Sequence, residues 1–532
     1  MDTLTTAGQG PAEPEAAAPP DGPESYSGIL YPGPAPAELA DDPDYFRDLR
    51  LDDLVAAVTS GRERYALAPF LRARCPDTAC VEYRQAVFRD LEGGGTAAAV
   101  RAFAEGMGEV RRCLDRLGRG HYTQERRWWM LQAGLAYVRT VVGLRDALAG
   151  LPVRSSALLG ARRLLDAYTA SPGFRDIARD AAAAADAPAA VRYQLRIAGP
   201  RITVRRAEPG APDYEAEVLA TFHRFAQGDG REYRFKFTES PQLNHVEAAV
   251  ADRVALLFPR EFGLLAAFSD RHAGFADPRV ERLDREAQFY LGVMEHLERV
   301  RRAGGEFCYP EVADSGVELR AVGAFDLALA ARLAAAGRHV VVNDIALRAP
   351  ERVVVVTGPN QGGKTTFSRM VGQLLHLAAL GIPVPGREAS LPLADGIHTL
   401  FEREEAVEDL VSKLEDDLRR TRAILARITD RSLVIMNETF SSTTVADQAF
   451  INRRVLEAIG AVGAWCVTVT FLDELATLTP ETVSMVSAVD PADPTRRTFR
   501  VVRRRADGLA YAAAIADKHR LTREQIALRA RR

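Results

Sequence analysis

The sequence predicts an α/β phosphate-loop domain at its C-terminal end, preceded by a mostly α-helical region with a small β insertion. Three observations predict it. The runs VVVV (353–356), LVIM (433–436) and WCVTVT (465–470) alternate with helical segments, the order that builds a largely parallel sheet. The first run leads into TGPNQGGKTTFSRM, a glycine-rich loop that opens a helix. Between 45 and 190, apolar residues recur mainly at helical spacing.

A chain of 532 residues is too long for one simple core, so two or three domains are expected. Hydrophobic content of 47%, charged content of 27% and a net charge of −3 describe an ordinary globular protein. They neither demand nor exclude a nucleic-acid partner. No apolar run is long enough to span a bilayer, and no charged segment leads into a signal-like apolar stretch. No membrane association is expected. The cysteines, Cys75, Cys80, Cys113, Cys308 and Cys466, form no zinc spacing, which suits reduced thiols and a cytoplasmic location. Basic residues are almost all arginine. The lysines are Lys236, Lys364, Lys413 and Lys518, so a lysine at a demanding position is informative.

Residues 1–44, rich in Pro, Ala, Gly and acidic side chains, are expected to be a disordered tail. A helical core and lever region is expected over 45–319. YFRDLRLDDLVAAVT opens it, Cys75-Pro76 breaks it, and long helices follow over 97–148 and 154–190. A small β-containing insertion is expected over 191–239. In it, YQLRIAGPRITVRR reads as a hairpin turning at Gly199-Pro200, and REYRFKF (231–237) as a further strand. Helices resume near 242, with Pro259 and Pro278 in first turns. Val280, Leu283, Ala287, Tyr290, Met294 and Leu297 make a coiled-coil-like seam, compatible with a projecting lever or a packed bundle helix. The α/β domain is expected over 320–532.

The loop from Gly358 through Pro359, Asn360, Gln361, Gly362 and Gly363 to Lys364, Thr365 and Thr366 fits G-x-x-x-x-G-K-[ST], the Walker A pattern. Glycines let backbone N–H groups turn toward phosphate oxygens, and the helix that follows presents its positive end to them. Lys364 would reach the β- and γ-phosphates of ATP, and Thr365 would ligate Mg²⁺. A second strand, LVIM, ends in Asn437-Glu438. Glu438 is placed to act as general base on the attacking water. Asn437 stands where an aspartate would serve the metal. Without that charge, slow hydrolysis and weaker magnesium dependence are expected, with nucleotide binding retained.

These segments resemble the ABC-type ATPase domain of the MutS family of DNA mismatch-repair proteins. TGPNQGGKTT is close to the family's TGPNMGGKST. LVSKLEDDLRRTRAIL (410–425) is similar to its S-T-F-x-x-E-M segment. NETFSSTT sits where the family has DE-L-G-R-G-T-S-T, and TFLDEL (470–475) where it has T-H-x-x-E-L. YAAAIADKHRLTREQIALRA resembles its C-terminal helix region. Upstream, RYALAPFLRARCPDTACVEYRQAVFRDLE looks like its helical core, and the hairpin sits where it inserts a DNA clamp. The chain resembles a shortened member with no room for the amino-terminal mismatch-reading domain. Phe237-Thr238-Glu239 matches that domain's Phe-x-Glu wedge by letters alone.

The resemblance implies a dimer in which Ser441, Ser442, Thr443 and Thr444 of one copy reach the other's γ-phosphate. It implies that Val340 and Phe471, at positions where the family has Phe and His, border the adenine. It also implies double-stranded DNA, distorted or branched, as partner. In the hairpin, Arg201 and Arg205 would share a face, with Arg196 and Arg206 nearby, and could meet phosphates. The expected function is a DNA-binding ATPase in which ATP binding closes the dimer around DNA and hydrolysis resets it. The alternative is a nucleotide-gated scaffold that does not act on DNA. Another ABC-type ATPase of chromosome maintenance would carry an LSGGQ-like signature and longer coiled coils, and neither is found.

Overall fold

The computed structural model describes residues 26–208, 243–314, 318–402, 413–490, 492–493, 496–506, 523 and 526. The strand expected at 231–237, the Phe237-Thr238-Glu239 match and the C-terminal motif from Tyr511 lie outside them.

The helical region runs α1 (Tyr45–Leu49), α2 (Leu51–Thr59), α3 (Ala68–Arg72), α4 (Thr78–Glu92), α5 (Gly94–Arg119), α6 (Thr123–Gly150), α7 (Ser156–Ala170) and α8 (Pro172–Asp186). The helical stretch expected over 97–148 is two antiparallel helices. The chain turns at Gly120, an extended residue between α5 and α6. The hairpin follows as β1 (Tyr193–Ala198) and β2 (Arg201–Arg206), with Ala198 opposite Arg201 across the Gly199-Pro200 turn. Then come α9 (His245–Leu257), α10 (Pro259–Arg271) and α11 (Pro278–Arg302), the last two with proline in the first turn. The α11 seam is not a projecting lever. Phe289, Leu291 and Val293 are buried beside Val280, Leu283, Ala287, Tyr290 and Leu297, so the helix is covered on several faces.

The α/β part begins earlier than residue 320. Strands β3 (Phe307–Cys308) and β4 (Glu311–Ala313) already pair with β8 (Val384–Pro385) and β9 (Glu388–Pro392). In sequence come β5 (Leu319–Ala324), α12 (Leu327–Ala335), β6 (Asn343–Leu347), β7 (Val353–Thr357), α13 (Lys364–Ala379) and β10 (Gly396–Phe401). They are followed by α14 (Lys413–Leu425), β11 (Ser432–Asn437), α15 (Val445–Val462), β12 (Trp465–Val469), β13 (Thr482–Val489) and β14 (Arg497–Arg503). The main sheet has the order β10-β11-β12-β7-β13-β14, parallel except for β14. A smaller sheet has the order β4-β9-β5-β6. The central strands are buried on both faces, which explains their continuous apolar runs.

The tail expected over 1–44 is ordered over its described portion. Ile29, Leu30 and Tyr31 are buried, and each buried aliphatic side chain contributes about 1.5–3 kcal/mol. Their backbone is paired as well. Glu286 accepts from the N–H groups of Ile29 and Leu30, Tyr290 donates to Ile29 O at 2.7 Å, and Arg84 Nε donates to Leu30 O at 3.0 Å. The Ser-Tyr-Ser-Gly-Ile-Leu-Tyr stretch holds the segment's concentrated apolar content, and average composition over the tail concealed it.

One hydrophobic core joins this segment, the helices and both sheets. Helix α13 lies within it, buried from Phe367 through Ala379 save Arg369. Its side chains grip the helical region. Gln373 donates to Leu49 O at 2.9 Å, Arg369 to Asp48 O at 2.8 Å, and His376 lies between Tyr45 Oη and Leu71 O. Arg84 bridges Leu30 O and Leu380 O, and so ties the N-terminal segment to the end of α13.

Candidate nucleotide site

Strand β7 ends at Thr357, the loop turns over Gly358–Gly363, and α13 starts at Lys364. Two glycines are required by a close approach. Gly358 has φ +116° and lies against Ser487, and a Cβ on Gly362 would sit 2.2 Å from Ser487 Oγ. Ser487 Oγ donates to Gly362 O at 2.6 Å, so β13 braces the loop from beneath. Arg497 Nε on β14 donates to Asn360 O at 3.2 Å. Pro359 is buried, whereas Asn360 and Gln361, the latter at φ +58°, are exposed.

Lys364 is held over the loop. Its Nζ donates to Gly358 O at 2.9 Å and Pro359 O at 3.3 Å, and lies 4.0 Å from Glu438 Oε1. Burial lowers its pKa, opposed by Glu438 and assisted by Arg497. A cation desolvated in this way gains by meeting an anion. Thr365 Oγ1 donates to Asn437 Oδ1 at 2.9 Å, which brings together the two oxygens proposed for the metal. Thr366 follows in the first turn of α13, partly exposed. This donor set fits a magnesium nucleotide: an ammonium, two oxygens on adjacent elements, and the N-terminus of a 16-residue helix.

Glu438 leaves β11 at φ +53°, and Phe440 two residues later has φ +57°. Left-handed backbone is unfavourable for both side chains, so the surroundings must hold it. They do so from two sides. Glu438 N donates to Val469 O at 2.9 Å, and the Asp417 carboxylate on α14 accepts the Phe440 N–H. The side chain of Glu438 stays 29% exposed, open to water and beside the loop.

Ser441, Ser442 and Thr444 are exposed and Thr443 partly so, in the turn that leads to α15. Thr444 caps that helix by accepting from Asp447 N, and Ser441 donates to Glu402 at 3.1 Å. Beside them Val445 and Phe450 are 70% and 61% exposed.

The two positions expected to border adenine lie on separate segments, before β6 and after β12. Phe471 follows β12, and its ring centroid lies 4.3 Å from Lys364 Nζ, the atom that also lies 4.0 Å from Glu438 Oε1. Val340, before β6, packs partly buried against the core.

In the hairpin, strand alternation places Arg196, Arg201 and Arg205 on one face, all exposed. Arg206 differs from expectation. Register puts it with Ile202 and Val204, where its guanidinium donates to Leu257 O at 2.9 Å and lies over the Phe258 ring. The carbonyl end of α9 attracts a cation, so Arg206 has a structural partner. That apolar face closes a groove of about 700 Å³ with Trp128, Val254 and Leu265.

The MutS domain V family model matches residues 354–519. A DNA mismatch repair protein MutS of Granulibacter bethesdensis is 30% identical over 324 residues, covering 59% of this chain and 33% of that protein. The DNA mismatch repair protein MutS of Erythrobacter litoralis is 35% identical over 182 residues, 34% of this chain and 20% of its own length. The Endonuclease MutS2 of Gemmatimonas aurantiaca is 32% identical over 155 residues, 29% of this chain and 19% of its own. The chain therefore spans a third or less of the length of these relatives.

Proposed function

The chain belongs to the MutS family, and from that premise we propose that it is a slow, DNA-binding ATPase that works as a homodimer. The observation that carries this reading is the convergence of Lys364, Thr365, Asn437 and Glu438 at the ends of β7 and β11. Backbone N–H groups of Gly358–Gly363 and the Lys364 ammonium would hold the phosphates of ATP. Thr365 and Asn437 would hold Mg²⁺, which when bound supplies Lewis-acid polarisation of phosphoryl oxygen. Glu438 would accept the proton of the attacking water. Asn437 contributes no negative charge, so turnover is slow.

Two features support dimerisation and its coupling to the rest of the chain. The exposed hydroxyl turn 441–444 lies beside the exposed Val445 and Phe450, a surface suited to a second copy whose γ-phosphate the hydroxyls would contact. Helix α13 begins at the phosphates and ends in the helical core, so a shift at Lys364 reaches α1 and the N-terminal segment through Gln373, Arg369 and Arg84. Double-stranded DNA, distorted or branched, would then be met through its backbone, with Arg196, Arg201 and Arg205 as one contact face.

Replacing Glu438 with Gln separates the roles. The reading predicts that ATP binding survives while steady-state hydrolysis falls at least about a hundredfold. Hydrolysis unchanged in Glu438→Gln would remove Glu438 from the chemistry.

A further inference from the structure

The sheet order decides which way a nucleotide must lie. Glu438 and Asn437 end β11, and Phe471 follows β12, all on one side of β7. The hydrolytic end of the site is therefore on the β11–β12 side. A nucleotide anchored at Lys364 must run its nucleoside toward the opposite side of β7, where β13 and β14 lie.

On that side stands Phe499. It is 49% exposed, an unusual cost for a phenylalanine inside a strand. Its φ is +58°, left-handed backbone that a bulky side chain adopts only when held there. The cause is a bulge. Ser487 pairs with Val501 and Val489 with Arg497, so Thr498, Phe499 and Arg500 together face Ala488. Thr498 Oγ1 fixes the bulge by donating to Ala488 O at 2.7 Å. Asn343, at the start of β6, clamps it from the other edge. Its Nδ2 donates to Phe499 O at 3.3 Å, and its Oδ1 accepts from Val501 N at 2.7 Å. The bulge brings Phe499 against the helix start: a Cβ on Gly363 would lie 3.7 Å from Phe499 Cα and 3.8 Å from its Cβ. Bulges beside functional sites re-aim side chains, and this one brings an exposed ring beside the first turn of α13.

We propose that Phe499 is the stacking wall for the nucleotide base. The proposal rests on the nucleotide-binding reading above. It moves the aromatic platform from the position of Val340, which has no ring, to a bulge on the antiparallel edge strand. It also leaves Phe471 to the phosphate end. Stacking on a ring face is tolerant of base identity, so the site takes purine nucleoside triphosphates with modest discrimination between them.

The test compares Mg·ATP with inorganic tripolyphosphate, which has the phosphates and no base, as ligands of the full chain. Affinities are measured by calorimetry for wild type, Phe499→Ala, Phe499→Trp and Phe471→Ala. Phe499→Ala is expected to weaken ATP at least about fivefold while holding tripolyphosphate as wild type does. Phe499→Trp is expected to retain ATP, with its indole fluorescence quenched on binding. Phe471→Ala is expected to weaken both ligands alike. Equal ATP affinity in wild type and Phe499→Ala would overturn the proposal. So would a parallel loss of both ligands in Phe499→Ala, which would make Phe499 a brace for the loop. Wild type that binds neither ligand would overturn the nucleotide-binding reading, and this proposal with it.

Discussion

At the scale of single residues, the site is defined by one missing charge. Thr365 Oγ1 meets a neutral amide oxygen at Asn437 where a carboxylate would bind magnesium more tightly. A charged acceptor is worth about 1.4 kcal/mol more than a neutral one, which is tenfold in an affinity. Asn437→Asp is therefore expected to lower the magnesium concentration for half-maximal ATPase activity about tenfold and to raise kcat. A magnesium titration of both proteins checks it, and identical curves would show that position 437 does not serve the metal. The phosphate loop, Glu438 and Asn437 were legible in the sequence because their chemistry is local: a strand, a turn and a helix start, each with its signature. Ser487, Arg497, Asp417 and Phe499 were not. They act on the site from β13, β14 and α14, and their relevance depends on sheet order and on a bulge, which spacing along the chain does not carry.

At the scale of elements, the N-terminal segment depends on a buried carboxyl. Burial pushes Glu286 up to about 7, opposed by the Ile29 and Leu30 N–H groups and by Arg282 and Arg84. The folded protein then holds a proton that the unfolded chain, near the ordinary 4.5, releases. This contribution to stability is fully present below 4.5 and is lost as pH rises through 7, a change of about 3 kcal/mol at most. Glu286→Gln keeps an acceptor for the two N–H groups and removes the titration. Its stability is expected to lack that pH-dependent fall between 5 and 8 and to exceed that of wild type at pH 8. Denaturant melts of both proteins across this range check it, and parallel slopes would contradict it. The sequence concealed this segment because it lies in a stretch whose average composition resembles a solvated tail. The α5–α6 turn lies in the polar stretch GRGHYTQERR (118–127), which the helical spacing on either side obscured.

At the scale of the whole molecule, the division into a helical region and an ATPase domain is sequential and not physical. Helix α13 carries the phosphate loop at one end and is enclosed by α1, the α3–α4 turn and the N-terminal segment at the other. A fragment of residues 320–532 would lose β3 and β4 and expose the buried faces of α13. It is expected to show no cooperative thermal transition, whereas the full chain is expected to melt in one. Fold class and strand sequence were readable, because buried parallel strands and amphipathic helices differ in period. The shared core was not, because it is assembled from residues as far apart as Ile29 and Val501. This continuity links the phosphate loop to the helical region and the N-terminal segment. The proposed function couples ATP turnover to DNA. The most direct test is steady-state ATP hydrolysis by the full chain, alone and with homoduplex, mismatched duplex and four-way-junction DNA, at two salt concentrations. At least one DNA form is expected to change the rate, and the effect is expected to weaken at the higher salt. A rate indifferent to every DNA, with no DNA binding at the lower salt, would contradict it and leave a nucleotide-gated scaffold.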